Sequence, residues 1–205
     1  MEPTTTFDAA DLSPVDTYKL LTGLVTPRPI GWIGSVSAEG SKNLAPYSFF
    51  NAVCADPPTV LFSAGRPGRL KDTLANVLAT GEFTVNIVSE AVAEAMNLTA
   101  GEYEPDVDEF ELAGLTAVVG TAVAAPMVAE SPARFECVVT QHVDLGPSGG
   151  EPSNTVVFGE VKAMHVADRV LDGTRTRPDE LAAVGRLAGS HYARTADSLF
   201  EMIRP

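Results

Sequence analysis

Arg66, Arg69 and Lys71 lie within six positions of one another in Ser63-Ala-Gly-Arg-Pro-Gly-Arg-Leu-Lys-Asp-Thr73, in a chain with only 14 Lys and Arg. Directly after them, Leu74, Val77 and Leu78 fall at i, i+3, i+4, which predicts a short amphipathic helix over Lys71–Leu78 with Asp72 as N-cap and Gly81 as its stop. A helix start presents unpaired amides and the positive end of its dipole, so cations just ahead of it can hold a phosphate. The hydroxyls of Ser63 and Thr73 would complete such a cradle. The competing reading is a solvated basic loop.

Two further stretches have the chemistry of a ligand rim. In Thr26-Pro-Arg-Pro-Ile-Gly-Trp32, two prolines fix the backbone, and Gly31 leaves open surface beside Trp32 where a flat ligand could lie. A strand entry with a core tryptophan is the alternative. In Asn43-Leu-Ala-Pro-Tyr-Ser-Phe-Phe-Asn51, Pro46 lacks a ladder donor, which confines it to an edge or a bulge and leaves neighbouring amides for something other than the sheet. Tyr47, Ser48 and Asn51 then offer hydrogen bonds. Gly185-Arg-Leu-Ala-Gly-Ser-His-Tyr192 is small, flexible and finally aromatic, a segment able to close over a ring.

Other chemistries lack their parts. His142, His165 and His191 show no ligand spacing, so no metal site is expected. A hydrolase using Ser48 or Ser190 with His191 would lack the Gly-x-Ser-x-Gly elbow. Neither Gly-x-Gly-x-x-Gly nor a Walker sequence is present, which removes the Rossmann and P-loop nucleotide sites. Cys54 and Cys137 each sit in an apolar stretch and read as small buried hydrophobes, not a disulfide.

The elements that must position these residues are mostly strands. Pro29–Val36 and Leu44–Val53 read as a hairpin, and Thr59–Ala64 as a buried strand emptying into the basic loop. Phe83–Ile87 alternates as a half-buried strand, followed by a helix over Glu90–Leu98. Gly101–Leu112 carries six carboxylates and reads as a solvated loop or flap. Arg134–Leu145 and Asn154–Val166 form a large hairpin. Strands outnumbering short helices predict a mainly β fold, an antiparallel barrel or sandwich with flanking helices.

A chain of 205 residues that is 45% hydrophobic and 20% charged has material for one sizeable core, so residues 1–205 are expected to form a single domain. Its net charge of −13 repels nucleic acid and anionic lipid. The first residues lack a secretory pattern and no apolar run is long enough to span a bilayer, so a cytoplasmic protein is expected.

Taken in order, Thr26-Pro-Arg-Pro-Ile-Gly-Trp-Ile, Asn43-Leu-Ala-Pro-Tyr-Ser-Phe-Phe-Asn, Asp56-Pro-Pro, Lys71-Asp-Thr with Asn76, Glu82-Phe-Thr-Val-Asn86 and Gly185-Arg-Leu-Ala-Gly-Ser-His-Tyr192 resemble the flavin reductase-like family. These are FMN-binding split-barrel flavoproteins, among them flavoredoxins and the reductase components of two-component monooxygenases. The similarity covers about residues 26–192. It implies a six-stranded Greek-key split barrel, a homodimer, and FMN near the subunit interface. Lys71, Asp72 and Thr73 would meet the phosphate, assisted by Ser63 and Arg66. Asn43, Ala45, Pro46, Tyr47 and Ser48 would run beside the ring, with Trp32 or Tyr192 covering ring or tail, and amides freed at Pro46 would bond its pyrimidine edge. The implied reaction is hydride transfer from NADH or NADPH to flavin, then onward to free flavin, a monooxygenase partner or another acceptor, with His191 near the nicotinamide. The acidic Gly101–Leu112 segment favours NADH if it lies over the pocket. Ala188 stands where relatives often have a second glycine. A flavoredoxin-like FMN carrier without direct nicotinamide chemistry is the alternative.

Overall fold

The computed structural model describes residues 2–66 and 70–203, so Arg69 of the proposed cradle lies outside the described residues. Seven strands make one antiparallel sheet: β1 (Gly31–Val36), β2 (Lys42–Tyr47), β3 (Phe50–Ala55), β4 (Pro58–Gly65), β5 (Glu82–Ile87), β6 (Ala133–Leu145) and β7 (Asn154–Val166). Their order across the sheet is β2-β1-β5-β6-β7-β4-β3. The expected strand Leu44–Val53 is thus two strands, broken at Ser48-Phe49, and the ladder has seven members where the resemblance implied six.

That break governs the shape. Strands β2 and β3 stand at opposite ends of the ladder, yet only two residues join them. A flat seven-stranded sheet would set its ends about 29 Å apart at about 4.8 Å per gap. Three Cα steps reach about 11 Å. The sheet must therefore curl until its ends nearly meet, giving a barrel split between β2 and β3. Phe49 O accepts a hydrogen bond from Ser63 N at 2.8 Å, tying the link to the β4 side.

Period-two alternation sends side chains to two cores. Ile33, Tyr47, Phe50, Phe62, Phe83, Val85, Cys137 and Val157 fill the barrel. The rings of Phe62 and Tyr47 lie 5.1 Å apart and those of Phe62 and Phe83 5.2 Å apart, the second pair edge to face. On the other side of β1 and β2, Trp32 and Leu44 pack with Val88, Met96, Phe110 and Val184. Gly31 does not keep a surface open beside Trp32, because a Cβ there would lie 2.5 Å from the Phe50 ring, which occupies that space. Cys137 is buried, and burial pushes its thiol pKa up. Cys54 is exposed, contrary to expectation: β3 is an edge strand whose residues after Phe50 face outward.

Helix α1 (Pro14–Leu24), which the sequence reading did not identify, begins at Ser13, whose hydroxyl accepts from Asp16 N. Helix α2 (Asp72–Thr80) inserts Leu74 and Val77 into the barrel core and stops at Gly81 in the left-handed region (φ 75°). Burying Leu74 alone contributes about 1.5–3 kcal/mol. Helices α3 (Ala93–Leu98) and α4 (Glu109–Leu112) cover the outer core through Met96 and Phe110. A separate hairpin, β8 (Val184–Arg186) and β9 (Tyr192–Arg194), follows. No described helix is long and apolar enough to cross a membrane.

A buried carboxylate pins the 120s loop to the barrel. Glu136 on β6 is fully buried and accepts from Thr121 N (3.2 Å), Ala122 N (2.6 Å) and Val123 N (2.9 Å), with His165 Nε2 at 2.7 Å. Burial raises its pKa, but His165 and the three amides outweigh burial and bring it down to about 2. The folded value lies below the ordinary 4.5, so this stabilisation is present above about pH 4.5 and is lost as pH falls toward 2. Glu136→Ala, which leaves three amides unanswered, is expected to lose about 3–5 kcal/mol in urea unfolding at pH 7. The difference from wild type should narrow at pH 3.

Candidate ligand groove

Strand β2 and the start of α2 face each other across a groove with two arms. The first arm is lined by Asn43, Ala45, Pro46, Tyr47, Lys71, Asp72 and Thr73, and on its far side by residues 99–103 and Glu109. The second arm runs past Ser48, Phe49, Ser63, Gly65 and Arg66 to Tyr18 and residues 151–154. Pro46, Tyr47 and Lys71 line both. The structure therefore gathers ten predicted residues, Asn43, Ala45, Pro46, Tyr47, Ser48, Ser63, Arg66, Lys71, Asp72 and Thr73, around one depression.

A polar network holds the helix start against the strand. Asn43 Nδ2 donates to Thr73 Oγ1 at 2.8 Å and to Ser35 Oγ at 3.3 Å, and Ser35 also accepts from Asn76 Nδ2 at 3.3 Å. Lys71, not Asp72, is the N-cap residue, and it supplies no side-chain cap. The helix dipole thus opens on the groove without a capping oxygen. Lys71 is exposed and makes no ion pair with a described residue. Arg66 reaches Asp144 at 3.2 Å, and Ser63 Oγ accepts from Asn154 Nδ2 at 3.1 Å, so these two arrive with partners.

Tyr47 lines both arms, and its hydroxyl, enclosed behind the groove wall, has no hydrogen-bond partner among the described residues. Burial pushes its pKa up to about 12; Thr73 is near enough to temper that shift without reaching hydrogen-bonding geometry. The phenol is therefore protonated, an unused donor close to Thr73 at the helix start.

Pro46 causes no irregularity, because the register from Gly31↔Tyr47 to Val36↔Lys42 is unbroken. Its place on an edge strand explains its tolerance. Leu44 N points off the edge and donates to Glu109 Oε2 at 3.0 Å; two residues on, the outward amide position belongs to Pro46 and has no hydrogen. The amides expected to be free at Pro46 are thus either used or absent.

Burial and topology correct the expectations for Trp32 and for the acidic 101–112 segment, and they place His191 and Tyr192 on a separate hairpin. Trp32 is fully buried and its Nε1 donates to Thr99 Oγ1 at 2.8 Å, so its ring cannot cover a ligand; it braces the groove wall at Thr99 instead. Tyr192 lies on the β8–β9 hairpin with Arg186 stacked 4.4 Å from its ring centroid. His191, exposed beside it, has Nδ1 3.2 Å from Ala188 O. Neither lines either arm within one chain. The acidic 101–112 segment is not wholly solvated: Asp108 pairs with Lys42 at 2.8 Å and Glu109 is buried against β2. A partial signal for this was present, since Phe110 interrupts the acids directly behind Asp108, whose side chain caps α4. Arg28 was also missed; its guanidinium bonds Thr22 O, Val25 O and Leu187 O, joining α1 to the hairpin. No cluster of three or more metal-ligating side chains occurs among the described residues.

Residues 23–181 match the family model described as flavin reductase like domain. The Bacillus subtilis (strain 168) protein YwrF, of uncharacterized function, is 40% identical over 97% of this chain and 98% of its own. Nitrilotriacetate monooxygenase component B from Bacillus cereus superposes with a TM-score of 0.95 at 36% identity, covering 98% of this chain and 100% of that one. Pseudomonas fluorescens 2-nitrobenzoate 2-nitroreductase NbaA gives a TM-score of 0.87 at 32% identity, over 98% and 96% of the two chains.

Replacing Tyr47 by Phe separates the folding and binding roles of its hydroxyl. The variant without ligand should be as stable as wild type or up to about 1–2 kcal/mol more so, since an unpaired buried hydroxyl is removed. Its affinity for a groove ligand should fall. Thermal melts with and without ligand read both quantities.

Proposed function

The chain belongs to the flavin reductase-like family, a family of flavin-related oxidoreductases, and from that premise we propose that it binds FMN in the groove and passes hydride from NADH or NADPH to it. The observation that carries the reading is the unpartnered, buried Tyr47 hydroxyl beside an uncapped helix start, with Lys71 at the cap. Such a cradle suits a terminal phosphate, which the helix dipole and a lysine attract despite the chain's charge of −13. Thr73, fixed by Asn43, offers its hydroxyl there, and Ser63 and Arg66 lie along the second arm. The ring would run beside Asn43, Ala45 and Pro46 on the strand edge.

Bound flavin would itself supply the hydride acceptor, so the protein needs no strong acid or base and must orient rings and exclude water. Pro46 and the 99–103 wall shape that space, and the Trp32–Thr99 bond holds the wall to the core. Glu102 and Glu109 on the same wall disfavour a donor carrying an extra phosphate, which supports NADH over NADPH. The similarity to nitrilotriacetate monooxygenase component B supports delivery of reduced flavin to a separate acceptor.

We also propose a homodimer. Val15, Tyr18 and Leu24 of α1 and Val53 of β3 are exposed by 62, 60, 78 and 47%, and Tyr18 stands at the rim of the groove with its ring 6.4 Å from that of Phe49. A second copy laid on these residues would cover apolar surface and close the open second arm. Sedimentation of FMN-loaded protein should give twice the chain mass; a monomer with FMN fully bound contradicts the dimer.

One specific observation favours the carrier alternative: His191, which the resemblance places near the nicotinamide, stands away from the groove in a single chain. Anaerobic visible spectra before and after NADH, then NADPH, separate the two. Flavin bands bleached by NADH are expected. Bands that persist until dithionite is added would leave a carrier, and protein that cannot be loaded with FMN would remove the flavin reading.

A further inference from the structure

We propose that Glu109 sets the charge of the ring-binding edge and thereby makes the protein hold reduced flavin more weakly than oxidised flavin. The inference rests on the flavin reading above and concerns which redox form the same groove releases. Glu109 is only 7% exposed, lines the first arm, and is fixed by Leu44 N at 3.0 Å. Leu44 lies between Asn43 and Ala45, the strand residues along which the ring would run. A carboxyl bonded to that stretch of strand edge is therefore a neighbour of any ring placed there.

Among the described residues no cation pairs with this carboxyl. Lys42, the basic residue of β2, is taken by Asp108 at 2.8 Å. Asp108 on the approach to α4 and Asp72 on α2 add like charge near Glu109, Glu111 follows on α4, and Glu102 lines the same wall. From β2, Tyr47 faces it as a neutral phenol, and Lys71 stands at the helix cap. Burial, with Asp108 and Asp72 adding to it, raises the Glu109 pKa, while the Leu44 amide pulls the other way.

Reduction leaves the flavin ring with a tendency to lose a proton and carry negative charge, which the oxidised ring lacks. Beside a buried carboxylate in a partly desolvated groove, that added charge is disfavoured unless Glu109 first takes a proton. Oxidised ligand meets no such penalty. The asymmetry suits a protein that loads oxidised flavin and gives up the reduced form, and it is the opposite of what a permanent carrier needs.

Flavin-free protein titrated anaerobically with oxidised and with dithionite-reduced FMN gives the ratio of the two dissociation constants. In wild type at pH 7.5 the reduced form should bind more weakly. In Glu109→Gln, whose amide oxygen still accepts from Leu44 N, the ratio of reduced to oxidised dissociation constants should fall about tenfold, with the oxidised constant changed less than about threefold. As the pH is lowered the difference between the two proteins should shrink, because a protonated Glu109 carries no charge to oppose the reduced ring. Equal ratios at pH 7.5, or a difference that does not shrink with acid, would overturn the assignment. Should the variant not fold, the carboxyl carbon resonance of Glu109 in wild type must titrate at higher pH with reduced than with oxidised FMN; identical titrations overturn it. Wild type that binds neither form removes the flavin reading itself, a result distinct from flavin binding with an unchanged ratio.

Discussion

Two residues, Ser48 and Phe49, impose the constraint on which the rest of the molecule depends. They join the two ends of a seven-stranded ladder, so the sheet cannot lie flat. Curling brings Phe50 over Gly31 and Tyr47 against Phe62, and the barrel core forms behind that closure. It also leaves β2 as an edge, with its inner side chains against α2 and its outer amide at Leu44 met by Glu109. The groove is what remains between an edge strand and a helix that cannot complete the sheet.

Local electrostatics at that edge run against the global charge. A chain of net −13 places Lys71 and an uncapped helix start at one part of the groove, and buried or clustered acids at the other. Over distances beyond about 8–10 Å, salt screens the global field, so the nearby groups decide what binds. The same side chains serve fold and site: Asn43 fixes the helix start, and Trp32 fills the outer core while bracing the wall through Thr99.

Much of this was legible in the sequence. Strand β7 spans the residues that alternation marked, β6 begins one residue earlier, and α2 ends at the glycine that its pattern required. The residues gathered at the α2 start could be read because helix-start chemistry is local. The break at Ser48-Phe49 was not legible, since only the long-range pairing of β2 with β1 and β3 with β4 divides Leu44–Val53. Trp32 looked available because a single sequence does not show which face of β1 a helix will cover. Glu109 was hidden by its neighbours: Glu102, Glu104, Asp106 and Glu111 are exposed, as a charged loop requires, whereas Glu109 is buried by contact with a strand more than sixty residues away.

A flavin lying along β2 would have its phosphate held by the α2 start and Lys71, with Tyr47 behind them. The most direct measurement is the dissociation constant of oxidised FMN beside that of riboflavin, which keeps the ring and lacks the phosphate. Binding of FMN at least tenfold tighter than riboflavin, with the advantage eroded by added salt, is the predicted result. Equal affinities for the two would contradict the account, because the cradle would then contribute nothing to holding the ligand.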